Sequence, residues 1–278
     1  MSFLNDVVDA FIDTCDSRVR IWPLMGNPTT MLLLMLSYVA FSIWWAPWFM
    51  RSRQPLRVRG LVRAYDLLMV LWNAYFAVAM ARLSYFHEDE RKRYSWLCQG
   101  PNYTRRGLPL LSLAWWYLVM KVVELFDTAT FVMTKSLSHV TTLHVFHHAS
   151  VIGVVWISVQ TGVLGQNVFP MVVNALVNAL TYSYYFLATF GPGARKWLWW
   201  KRYLTQLQIA QLASFVVFGA VPLFVDCGFP RWMTLLMIGV PLELLVMFYG
   251  FYRRSYEAKA SFGRLEERSH IEAHSKRS

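Results

Sequence analysis

The sequence predicts an all-α membrane protein with seven transmembrane helices, and three observations predict it. Of its 278 residues, 56% are hydrophobic and only 15% are charged. Apolar runs recur at roughly the 20-residue length that crosses a bilayer as a helix. Lys and Arg collect in alternate loops between those runs. Met1 to about Asn27 lacks the basic start, apolar stretch and small-residue cleavage site of a signal peptide. It carries Asp6, Asp9, Asp13 and Asp16 instead. It is therefore expected to stay on the chain, with 1–29 as an N-terminal segment ahead of the first span.

The expected spans are 30–49, 65–86, 111–134, 139–160, 167–190, 203–225 and 233–252. The first, second and seventh are read from length and apolarity alone. The third contains Lys121, Glu124, Asp127 and Thr128. At about 100° per residue, Lys121, Glu124 and Thr128 share a narrow arc and Asp127 sits beside it. A Lys and two carboxylates within a span face inward and pair; a purely structural ion pair stays open for Lys121 and Glu124. The fourth span carries His144-Val145-Phe146-His147-His148 in an otherwise uncharged run. Steps of three and four return to one helix face, so the imidazoles stack on one side and must avoid lipid. One buried His is usually a satisfied core residue; three on one face point to a working site. The fifth span lines up Asn174, Asn178, Tyr182 and Tyr185, although Asn and Tyr also glue helices together. The sixth opens with Thr205, Gln208 and Gln211, which alone say little. Nothing remaining is long enough for a soluble domain, so 1–278 reads as one membrane domain.

Orientation follows from the loops. Net charge is +11, which in a soluble protein would suggest nucleic acid. Here it reflects the Lys and Arg excess of cytoplasmic loops, and no nucleic-acid partner is expected. Arg51 to Arg63 holds five arginines and no acid. Gly191 to Arg202 holds Arg195, Lys196, Lys201 and Arg202, and the tail over 253–278 has seven bases against four acids. With seven spans these segments share the cytosolic side with Lys135, and the N-terminus is luminal. Cys15, Cys98 and Cys227 then all fall on the luminal side, where disulfides persist. Cys98 and Cys227, each in a short loop, are the expected pair; the alternative is three free thiols. Asn102-Tyr103-Thr104 is a glycosylation sequon on that side.

Depth ties the polar residues together. Asp127, His147, Tyr182 and Gln211 each lie seven or eight residues from a cytosolic helix end, roughly 11–12 Å in at 1.5 Å per residue. Four helices thus bring polar groups to one level. The pattern describes a polar chamber open to the cytosol with an apolar region beyond it. Apolar walls suit an acyl chain, and a basic rim suits a phosphorylated head.

Two chemistries use clustered histidines at a membrane. A di-iron desaturase or hydroxylase needs about eight ligands. The chain has seven histidines, of which His87, His270 and His274 are misplaced. Acyl transfer needs only a neutral imidazole as nucleophile or base.

Four ordered motifs carry a resemblance. They are Lys121-Val-Val-Glu124-Leu-Phe-Asp127-Thr128, then Leu143-His144-Val145-Phe146-His147-His148, then Asn174 with Tyr182-Ser183-Tyr184-Tyr185, and Lys201-Arg202-Tyr203-Leu204-Thr205 with Gln208 and Gln211. From the second span onward the chain resembles the ELO family, the elongases of very long chain fatty acids. The resemblance implies six helices around a tunnel closed at the luminal end, in the endoplasmic reticulum membrane. It implies a 3-ketoacyl-CoA synthase that joins a long-chain acyl-CoA to malonyl-CoA, with loss of CoA and CO2 and with neither metal nor redox cofactor. His147 would take the acyl group, with His144 and His148 orienting it and handling protons. Lys121, Lys135, Lys201, Thr205, Gln208, Asn174 and Tyr184 would line the CoA and acyl path, supported by Glu124 and Asp127. His139, Tyr182 and Gln211 join the expected substrate contacts. The bilayer, other enzymes of the elongation cycle and a second copy of the chain are the remaining candidate partners. A non-catalytic lipid-binding relative is the alternative.

Four positions depart from the family pattern. Asn178 stands where a His is usual, and it can donate to an oxyanion but cannot act as a base. Thr181 stands for Met, His139 for Gln, and Thr134 for a base. Either His139 or His148 takes the missing acid/base role, or activity is lower or altered.

Overall fold

A computed structural model describes residues 12–257. Asp6 and Asp9, and the tail beyond Glu257 with His270 and His274, lie outside the described residues. Within them the chain is helical and contains no strand. Seven helices are long and apolar enough to cross a membrane: α1 Pro28–Met50, α2 Arg59–Leu83, α3 Arg105–Met133, α4 Thr142–Gln160, α5 Gly165–Ala188, α6 Lys201–Leu223 and α7 Arg231–Glu257.

Local chemistry sets the starts. Asn27 caps α1 by accepting from the Thr29 amide at 2.9 Å, with Pro28 at the first helical position. Thr141 caps α4 by accepting from the backbone amide of His144 at 3.2 Å, so the cap and the histidine run are one local unit. α2 begins at Arg59, about a turn and a half before the expected 65. The apolar run starts late because Arg59 and Arg63 precede it, but charged residues at a helix end cost little when they reach the interface. Arg63 does so: its Nε donates to Thr189 Oγ1 at 3.1 Å and its guanidinium lies 4.2 Å from the Phe190 ring centre.

α3 also departs from the expected regular helix. At Glu124 and Leu125 its bonding tightens, with the Asp127 amide bonding Glu124 O at 3.0 Å and the Thr128 amide bonding Leu125 O at 3.2 Å. These three-residue steps overwind the helix locally. The break falls where Glu124 and Asp127 must face different partners.

Helix contacts close a ring in the order α2, α3, α4, α7, α6, α5 and back to α2. α1 stands outside the ring and packs on α3 and α4. One end of the ring gathers the basic connections. There the Leu56 amide bonds Met133 O at 2.9 Å, and Arg202 Nε donates to Tyr252 OH at 2.8 Å.

The other end is cross-linked. A disulfide joins Cys98 to Cys227, with Cα atoms 5.8 Å apart, tying the α2–α3 loop to the α6–α7 loop. Gln166 accepts from the Gln99 amide at 2.9 Å and donates to the carbonyls of Leu97 and Phe218 at 3.3 and 3.1 Å. Gly165 has φ +34°, and a Cβ there would overlap the Gln99 and Gly100 backbone. The segment before α1 straps this end from outside: the Asp16 amide bonds Gln160 O at 2.8 Å, and Trp156 Nε1 donates to Leu24 O at 2.8 Å. Burial alone would raise the Asp16 carboxyl; its bonds to the Arg18 guanidinium and amide outweigh that and hold it below the usual carboxylate range. Cys15 is the free thiol.

Candidate functional site

A cavity lies inside the ring, walled by α3, α4, α5, α6 and α7. Its lining is mostly aliphatic: Val151, Val154 and Val155 on α4, Leu212 on α6, Val240 and Leu244 on α7. His147 lines it towards the basic end, and Ser158 and Asn167 line it towards the disulfide end. Ser158 lies three turns along α4 from His147, roughly 16 Å at 1.5 Å per residue. Asn167 Nδ2 donates to Ser158 Oγ at 3.0 Å and to Val163 O at 2.8 Å, which satisfies the floor.

The three imidazoles face inward. The ring centres of His144 and His148 are 4.6 Å apart, and those of His147 and His148 5.5 Å. Each has a different neighbour. His144 Nε2 shares a 2.9 Å hydrogen bond with Thr128 Oγ1, which lies 3.0 Å from Tyr38 OH. His148 Nε2 stands 3.9 Å from Asp127 Oδ2, close enough for electrostatic contact but beyond a hydrogen bond. His147 packs edge-on against Phe248 of α7 and is left facing the cavity.

Carboxylates hold the rest of the cluster. Lys121 and Glu124 are each only 2% exposed, with Nζ 2.9 and 3.1 Å from the two carboxylate oxygens. Glu124 also accepts from Asn178 Nδ2 at 3.3 Å. Lys121 lies 4.8 Å from the Tyr117 ring centre, and Tyr117 OH donates to Asn174 Oδ1 at 2.7 Å. Asp127 Oδ2 accepts from Tyr182 OH at 2.7 Å. Counted from the observed helix ends, the four groups expected at one depth differ: His147 lies five residues in, Asp127 and Tyr182 six, and Gln211 ten. Asp127 and Tyr182 are bonded, and His147 and Gln211 line one cavity.

Other expected site residues stand apart from this cluster. Lys135, His139 and Lys201 are exposed at the basic end. Lys135 takes φ +56°, in the left-handed region, and closes α3 with the Ser136 amide bonding Phe131 O at 2.8 Å. A lysine there costs about 1–2 kcal/mol relative to a right-handed position. His139 stacks on Phe131 with centres 5.1 Å apart. Thr205 is buried, with Oγ1 3.4 Å from Tyr256 OH, while Gln208 is half-buried. Tyr184 packs on Trp200, and Tyr185 turns its side chain outward, 39% exposed.

The sequence reading passed over Tyr38, Tyr65, Tyr117 and Asp66. Tyr117 was findable, being one turn before Lys121 on the same face. Asp66 was findable as the lone acid of an apolar run, and it is buried with Oδ2 lacking a hydrogen-bond partner. Tyr65 packs edge-on against Tyr182 at 6.1 Å. Tyr38 left no signal, because nothing in α1 says that one phenol reaches through to α3. Among the described residues, no three His, Cys, Asp or Glu side chains are grouped to hold a metal ion.

The chain matches the family model ELO, GNS1/SUR4 family, over residues 23–262. It is 36% identical over 259 residues to very long chain fatty acid elongase 4 of Macaca mulatta, covering 91% of this chain and 81% of the relative. The human protein of that name is 35% identical over the same length, with the same coverage. Very long chain fatty acid elongase 2 of Mus musculus is 33% identical over 269 residues, covering 95% of this chain and 90% of the relative.

Proposed function

The chain belongs to the ELO family, the GNS1/SUR4 proteins, and from that premise we propose that it works in very long chain fatty acid elongation as the condensing enzyme, a 3-ketoacyl-CoA synthase. The observation that carries this reading is His147: a cavity-facing imidazole at the basic end of an apolar cavity, with Asn167 bonded to Ser158 at the far end. An acyl chain fits the aliphatic walls. Its CoA end projects towards Lys135, Lys201 and Arg202.

His147 attacks the thioester carbonyl. A C–N bond forms, the C–S bond breaks, and CoA leaves as a thiol carrying the imidazole proton. Malonyl-CoA then loses CO2, and the electron pair of the broken C–C bond attacks the acyl carbon. The 3-ketoacyl-CoA departs, and the released imidazolate takes up a proton. CO2 loss drives the second step, so the reaction as proposed calls for no metal or redox cofactor. His148, beside Asp127, is the acid/base group nearest His147 by ring contact. His144 is positioned through Thr128.

The same reading sets the basic end in the cytosol and the disulfide end in the lumen of the endoplasmic reticulum. Other elongation-cycle enzymes and a second copy of the chain are its proposed protein partners.

The test is purified protein with a long-chain acyl-CoA and carboxyl-labelled malonyl-CoA. Labelled CO2, a 3-keto product two carbons longer and an acyl adduct on His147 are expected. Acyl-CoA binding without CO2 release would replace this reading with that of a lipid-binding relative. Asn178, which cannot serve as a base, is the observation favouring that alternative.

A further inference from the structure

Five buried side-chain polar atoms lack a hydrogen-bond partner among the described residues, on Asp66, Asn73, Tyr85, Gln160 and Gln211. Only Gln211 also lines the cavity. Its residue is 7% exposed, and the unpartnered atom is Oε1, an acceptor. Its neighbours Leu212 and Phe215 belong to an apolar cluster with Leu244 and offer no donor. A buried acceptor left without a donor is costly, and one that faces a ligand cavity is satisfied when the ligand brings the donor.

Resting on the condensation reading, the chemistry of the substrates narrows what that donor can be. The acyl chain has no donor. The thioester carbonyl and the malonyl carboxylate only accept. The hydroxyls and amine of the nucleotide belong to the phosphate-bearing end, which its charge keeps at the basic rim. What remains is the pantetheine arm, whose first amide N–H lies two methylenes from the sulfur. A thioester held at His147 carries that N–H into the same cavity.

We infer that Gln211 Oε1 accepts a hydrogen bond from the pantetheine amide nearest the sulfur, so that α6 reads the carrier arm rather than the acyl chain. The contact fixes the thioester along the cavity axis and places its carbonyl at His147. It makes Gln211 a positioning residue that discriminates a pantetheine thioester from other long-chain esters.

The test replaces one group. An acyl-CoA analogue in which that amide N–H becomes an ester oxygen keeps the length and the thioester but loses the donor. Wild-type protein should use the analogue with kcat/KM lowered roughly ten-fold, the range for one buried acceptor left unsatisfied. Gln211→Leu and Gln211→Met should be slower than wild type with natural acyl-CoA and indifferent to the replacement. A variant that merely packs badly would lower both substrates and keep their ratio. Equal use of both substrates by wild type, or the same ten-fold ratio in Gln211→Leu, overturns the inference. Displacement of a fluorescent acyl-CoA gives the same ratios without turnover. Discrimination in binding with no condensation would refute the reaction and leave this contact standing.

Discussion

Replacing Lys121 by Met removes one half of an ion pair whose members are each 2% exposed. Glu124 would keep only the 3.3 Å bond from Asn178. A buried carboxylate stripped of its cation costs about 3–5 kcal/mol. At roughly 2–4 °C per kcal/mol for a chain approaching this size, the midpoint of thermal unfolding should fall by about 6–20 °C. The double variant Lys121→Met/Glu124→Leu behaves differently, because apolar replacement of a buried pair is close to neutral. Its remaining loss is the Asn178 donor left unpaired, about 1–3 kcal/mol. The double variant should therefore recover about half of the single-variant loss. Tryptophan-fluorescence melting of the purified protein in one detergent gives all the midpoints. A double variant as unstable as Lys121→Met, or a single variant within about 1 kcal/mol of wild type, would refute the reasoning. Condensation measured on the same samples separates a structural pair from a working one. A stable but inactive double variant assigns Lys121 and Glu124 to the chemistry.

Cys98→Ser should destabilise the protein by about 2–4 kcal/mol, because the bond closes a loop of 129 residues. Cys227→Ser and the double variant should match it in melting, whereas Cys15→Ser should not. Thr128→Val removes the hydroxyl between Tyr38 and His144. It should slow condensation about ten-fold at unchanged acyl-CoA affinity, read as kcat against KM. Asn178→Ala should cost about 1 kcal/mol in stability through the lost bond to Glu124. Full turnover in that variant would show that residue 178 gives no direct help to the reaction.

The histidine face was legible because helical periodicity is rigid: positions 144, 147 and 148 cannot avoid one another on any regular helix. The depth they were expected to share with Asp127, Tyr182 and Gln211 depended on where the helices end: α4 starts at Thr142 and α6 at Lys201, which leaves His147 five residues in and Gln211 ten. What escaped is whatever depends on lateral neighbours. The ring order, with α7 between α4 and α6, cannot be read from loop lengths. Neither can the reach of Tyr38 from outside the ring to Thr128. The break at Glu124 and Leu125 escaped because no Gly or Pro marks it; it falls beside two carboxylates, three residues apart, that bond different partners.

Those two carboxylates also explain how Asn178 fits the site. Lys121, Glu124 and residue 178 form one chain of contacts, and Asp127, Tyr182 and His148 form another. The first chain needs from residue 178 only a donor to Glu124, which an amide supplies as well as an imidazole would. Proton transfer is a different demand, and an amide fails it. Under the proposed reaction the proton lost from His147 therefore reaches the departing CoA sulfur by way of the second chain, where His148 lies in ring contact with His147 and near the Asp127 carboxylate. A base at 178 is dispensable only while that second chain is intact. Loss of Asp127 should then be far more damaging to turnover than loss of Asn178, although both bond a neighbour on a facing helix.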